Sequence, residues 1–124
     1  MLLIDDRATL DRLLGRALRE EGWEVDHTVW GEGAFWLARS GGYELIVFDE
    51  LLPGENLVSV CERLRGGAAE VRLLMLSEAS GASACVVALD AGADGYIEKP
   101  CVLEELVARV HAIARRMQPL PARN

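Results

Sequence analysis

Leu45-Ile46-Val47-Phe48-Asp49 is a run of four apolar residues closed by a carboxylate. Apolar residues without alternation read as a strand covered on both faces, the mark of a parallel sheet packed between helices. Outward from it the same unit recurs. Short apolar runs at 1–4, 24–29, 71–76 and 95–97 join 44–48 as predicted strands. The second of these alternates (Val25, His27, Val29), which suits an edge strand. Between them lie helical periods. Leu10, Leu13, Leu14, Ala17 and Leu18 make one stripe, and Leu103, Leu106, Val107, Val110 and Ile113 another. Helices also fit 32–40, 56–65 and 80–91, and Gly22, Gly41-Gly42, Gly66-Gly67 and Gly92 stand where helices should stop. Alternating β and α units predict an α/β fold.

The chain has 124 residues, enough for one domain with an ordinary core. A formal net charge of −7 argues against direct nucleic-acid binding, because a phosphate backbone would repel it. Cys61, Cys85 and Cys101 have no metal-ligand spacing and read as free thiols of a reducing cytoplasm. No apolar run approaches membrane-spanning length, and no signal peptide is seen. Residues 1–117 form the predicted domain. Over 118–124 periodicity is lost and two prolines appear, so this stretch reads as a tail or the start of a linker.

Asp5-Asp6, Asp49 and Lys99-Pro100 each follow an apolar run, and ligands of open α/β sheets bind at the carboxyl ends of the strands. Carboxylates about 4 Å apart repel by roughly 4 kcal/mol at an effective dielectric near 20. Such a cluster calls for a cation. Mg²⁺, a hard ion that takes one or two carboxylates plus waters and phosphate oxygens, suits Asp5, Asp6 and Asp49. Lys99 supplies a fixed positive charge and Ser77 a hydroxyl donor, leaving Asp49 as the nucleophile of a phosphoryl transfer. Alone, an Asp at a strand end is ordinarily a helix cap or turn former. The coincidence of acids, hydroxyl and lysine on successive βα units favours the site.

These residues resemble the receiver domain of bacterial response regulators, over 1–116. The likeness rests on Asp5-Asp6, on Asp49-Glu50-Leu51-Leu52-Pro53-Gly54, on Ser77, on Gly92-Ala93-Asp94-Gly95-Tyr96-Ile97-Glu98-Lys99-Pro100, and on Leu103-Glu104-Glu105-Leu106. The resemblance is to the receivers of winged-helix-type regulators. It implies a flavodoxin-like, doubly wound fold of five parallel strands in order 2-1-3-4-5, with five helices. It also implies a histidine-kinase partner that phosphorylates Asp49 with Mg²⁺. The metal ligands would be Asp5, Asp6, Asp49 and the Leu51 backbone carbonyl. Ser77 and Tyr96 would act as the switch, reshaping the face made by the fourth helix, fifth strand and fifth helix. A cis Lys99-Pro100 bond is expected. So is a signalling domain, not an enzyme, with a C-terminal DNA-binding domain outside this chain as one output.

Several positions depart from the pattern. Glu78 replaces a small residue at the rim, where it could repel a phosphodonor, recruit Lys99 or face solvent. Leu57 replaces a glycine, and Cys101 a phenylalanine as a small buried filler. Cys85 and Gly95 stand where charged dimer partners of Glu105 and Arg109 are usual, predicting a basic face and a weak or phosphorylation-dependent homodimer. Trp36 is expected in or near the core, and neither His27 nor His111 has a companion at ligand spacing. An aspartyl-phosphate hydrolase would need an acid where Leu51 stands. The alternative reading is a receiver that acts as a phosphorylation-independent protein-binding module.

Overall fold

A computed structural model describes residues 1–6, 9–49, 57–66, 70–78 and 81–117. The expectations for Leu51, for the turn at 50–54 and for the tail at 118–124 lie outside the described residues. Five strands, β1 (Leu2–Asp5), β2 (Asp26–Val29), β3 (Leu45–Asp49), β4 (Arg72–Ser77) and β5 (Gly95–Glu98), form one parallel sheet in the order β2-β1-β3-β4-β5. That is the order the resemblance implies. The helices are α1 (9–20), α2 (Glu32–Ser40), α3 (Leu57–Arg65), α4 (Ala82–Asp90) and α5 (Leu103–Met117). The Lys99-Pro100 bond is cis, as expected.

The pleat sends alternate residues to opposite faces, so each apolar strand feeds two cores. Leu2, Ile4, Ile46, Phe48, Leu73 and Met75 pack with Phe35 of α2 and Leu64 of α3. Leu3, Leu45, Val47, Leu74 and Leu76 pack on the other face with Leu14 and Leu18 of α1 and Val110 of α5. Asp5 and Asp49 share the parity of Leu3 and Val47. Their side chains therefore emerge on the α1/α5 face, at the end of the sheet.

α1 is wound as a π-helix across Asp11–Gly15 and as an α-helix across Arg16–Glu20. A π turn holds one residue more than an α turn, so an apolar stripe loses phase across it. Leu13, expected inside, is accordingly exposed, while Leu14 and Leu18 are fully buried. Gly15 lets this helix lie close on β1: a Cβ there would stand 2.6 Å from Asp11 Oδ1 and 3.2 Å from Leu3 Cδ1. Trp36 corrects another expectation, being 63% exposed. Ala34, Phe35 and Ala38 occupy the inner face of α2, and Trp36 falls off that face.

Candidate functional site

Each strand end contributes one chemical group. Asp5 closes β1, Asp49 closes β3, Ser77 closes β4, and Lys99 follows β5. The Lys99 amide donates to the Ser77 carbonyl at 2.8 Å, which fixes the last two relative to each other. A cleft of about 630 Å³ opens beside them between α1 and α5, with Asp5, Asp49, Glu78 and Lys99 among its lining. Leu10 and Leu13 of α1 and Leu103 and Leu106 of α5 make its apolar walls.

The charges are arranged in pairs. Lys99 Nζ lies 2.7 Å from Asp49 Oδ1 and 2.8 Å from Oδ2, gripping both acceptor oxygens. Partial burial pushes the Asp49 carboxyl above the ordinary carboxylate value; Lys99 opposes that shift, and the negative charges of Asp5 and Glu78 add to it. Asp5 is only 3% exposed, and both its oxygens are engaged. His27 Nε2 lies 2.7 Å from Oδ1, and the Leu10 amide donates to Oδ2 at 3.0 Å. Ser77 is buried as well. Asp6 is exposed and does not line the cleft. Glu78 is exposed yet lines the cleft, and Lys99 sits on Asp49, so the geometry gives no support to the reading in which Glu78 recruits Lys99.

A hard divalent cation fits this donor set. Among the described residues no three His, Cys, Asp or Glu side chains converge closely enough to hold a metal ion by themselves. Mg²⁺ does not require that, since it takes one or two carboxylates and completes its shell with water and phosphate oxygen. Asp5 and Asp49 supply carboxylates of the right hardness, and partial burial, with Asp5 and Glu78 adding to it, disfavours the charged Asp49 that a cation would stabilise.

Two residues grip the site without having been legible as part of it. His27 reached Asp5 because β2 and β1 pair in parallel with His27 opposite Leu3, which sets its ring on the face where Asp5 emerges. The signal lay in the alternation of β2, where a polar residue shares the parity of two valines. Trp30 donates its indole N–H to the Asp49 carbonyl at 2.8 Å. No sequence pattern pointed there.

Beyond Pro100, which borders both clefts, Cys85 of α4, Tyr96 of β5, and Glu105 and Arg109 of α5 line a second groove. Tyr96 is buried. Arg109 Nη2 lies 3.5 Å from Glu105 Oε1, one helical turn away. Within α5, Glu105 thus stands beside Arg109, while Cys85 and Gly95 occupy the positions where charged partners were expected to be missing. Val86, Val87 and Leu89 of α4 are exposed.

The response regulator receiver domain, as a family model, matches residues 1–111. This chain belongs to that family. The receiver is 39% identical over 121 residues to the transcriptional regulatory protein TcrA of Mycobacterium tuberculosis, covering 98% of this chain and 47% of TcrA. It therefore spans about half the length of that curated relative. A two-component response regulator from Clostridium difficile superposes with a TM-score of 0.82 at 29% identity, covering 95% of this chain and 97% of the other. A response regulator from Burkholderia pseudomallei, solved with a phosphorylated aspartic acid and a calcium ion, gives 0.71 at 26% identity, covering 98% of this chain and 75% of that one. The receiver is a signalling domain of two-component regulation, not an enzyme. Aspartate phosphorylation and a divalent metal are typical of its family.

Proposed function

We propose that Asp49 accepts a phosphoryl group from a histidine kinase, and that this changes the face formed by α4, β5 and α5. The observation that carries this is the grip of Lys99 on both Asp49 oxygens beside a cleft that opens between α1 and α5. One Asp49 oxygen bonds to phosphorus as the P–N bond to the kinase imidazole breaks and its electron pair returns to nitrogen. Lys99 stays within reach of the oxygens and offsets their growing charge. Ser77, at the neighbouring strand end, supplies a hydroxyl for a phosphoryl oxygen. Asp5, Asp6, Asp49 and the Leu51 carbonyl would hold Mg²⁺, which when bound offsets charge on the transferring group.

Output follows from unequal stabilisation of two arrangements of Ser77 and Tyr96. Tyr96 is inward in this structure, so the switch reads out as a change in the population of that state. A cytoplasmic location and a C-terminal DNA-binding domain beyond residues 1–117, joined through 118–124, accord with likeness to a transcriptional regulator. Self-pairing of Arg109 with Glu105 favours a weak or phosphorylation-dependent homodimer.

Mass spectrometry after incubation with phosphoramidate and Mg²⁺ tests the reading. One phosphoryl group on the wild type, absent from Asp49→Asn, is expected. A wild type that takes no phosphate from this donor or from a kinase would leave the phosphorylation-independent binding module.

A further inference from the structure

β1 and β3 pair through Ile4 and Phe48, and their ladder stops there, one residue short of Asp49. On the other side Asp49 is still paired with Leu76 of β4. The acceptor backbone thus sits at the unsupported corner of the sheet. Trp30, just after β2, reaches across the end of β1 to this corner. Its backbone N–H donates to the Asp5 carbonyl at 3.1 Å, and its indole Nε1–H donates to the Asp49 carbonyl at 2.8 Å. One residue therefore ties together the two strand ends that carry the buried and the acceptor carboxylates.

The indole is itself held. Its ring lies 5.8 Å from that of Phe35 and 6.0 Å from that of Phe48, the latter edge-on at 83°. Phe48 precedes the acceptor in β3 and is almost completely buried. Indole packing therefore fixes Nε1 from the face opposite the carboxylates, and the hydrogen bond carries that rigidity into the Asp49 peptide. The Asp49 carbonyl and its carboxylate branch from the same Cα, so an anchored carbonyl limits how far that Cα can shift relative to Lys99.

We propose that Trp30 is a positioning residue for phosphoryl transfer: it holds the Asp49 peptide so that the carboxylate meets the donor in line. It also makes Trp30 an internal reporter, because chemistry at Asp49 perturbs the carbonyl to which the indole is bonded. The inference rests on the proposed phosphorylation of Asp49. It concerns a residue that touches neither phosphorus nor metal.

Trp30→Phe keeps the aromatic packing and deletes the N–H. Loss of one ordered hydrogen bond at a reacting group predicts an about tenfold lower maximal rate of Asp49 labelling by phosphoramidate, with the half-saturating donor concentration unchanged. A purely structural role would change thermal stability without that split between maximal rate and half-saturation. Separately, Trp23→Phe/Trp36→Phe leaves Trp30 as the only fluorophore of its kind. Its emission should shift on phosphorylation, and the shift should vanish when Asp49→Asn is added. Labelling of the wild type and Trp30→Phe at equal maximal rates overturns the inference alone. No phosphate on wild-type Asp49 overturns the functional reading along with it. If Trp30→Phe fails to fold, an unchanged emission in the single-tryptophan protein, with Asp49 demonstrably phosphorylated, overturns it instead.

Discussion

Lys99 Nζ rests 2.7 Å from one carboxylate oxygen of Asp49 and 2.8 Å from the other, joining residues that lie fifty positions apart. Both side chains are mostly buried, so neither is well solvated. The pair opposes the rise that burial imposes on the acceptor carboxyl. It also offsets the lesser repulsion from Asp5 and Glu78, which likewise disfavours a charged carboxylate at the end of β3.

Removing the ammonium should expose that stress. In Lys99→Met the Asp49 carboxyl moves further above its ordinary value, because the one contribution that lowers it is gone. The sign for stability follows. A carboxyl raised in the folded state binds more protons folded than unfolded, so stability falls as pH rises from the unfolded value of 3.8 through the folded one. Carbon-detected NMR titration of the Asp49 carboxyl checks the direction. The labelling rate should fall by about 100-fold, as when one charge-stabilising donor is deleted.

Glu78 adds negative charge near the acceptor from an exposed position. Glu78→Ala should lower the Asp49 carboxyl toward its ordinary value and speed labelling by a small anionic donor. Solvent screening limits the gain to about threefold, and added salt should erase it. An unchanged rate at low ionic strength would remove Glu78 from any part in phosphorylation.

Tyr43 offers an alkaline signature remote from the site. Its hydroxyl donates to Asp26 Oδ2 at 2.6 Å, and burial together with that carboxylate pushes its pKa up to about 12. The neutral phenol is favoured in the folded state. Its stabilisation is present below the ordinary value of 10 and is lost as pH rises through about 12. Urea midpoints should fall between pH 10 and 12 in the wild type more steeply than in Tyr43→Phe.

Arg63 clamps α2 to α3. Its Nη2 lies 2.8 and 2.9 Å from the Glu32 oxygens, and its guanidinium sits 3.8 Å from the centre of the Phe35 ring. Glu32 is exposed, so the ion pair adds little, and the ring contact should dominate. Arg63→Ala should cost about 1 kcal/mol in chemical denaturation, and Glu32→Gln much less.

By itself the sequence determined the sheet and its five helices. The apolar runs at 45–48 and 73–76 are long enough to demand cover on both faces, and burial of such runs overrides local detail. It also brought Asp49, Lys99, Ser77 and Asp5 to one edge, because the carboxyl ends of parallel strands converge whatever lies between them. The π turn in α1 was not legible, and Leu13 was misplaced as a result. The π winding coincides with the close approach of Gly15 to β1, a tertiary contact that periodicity does not encode. Tertiary structure alone decided the supports of the site. His27 on Asp5 and Trp30 on the Asp49 carbonyl depend on register, side-chain reach and rotamer. Those are fixed only when the elements pack, and sequence spacing along one strand or helix carries no record of them.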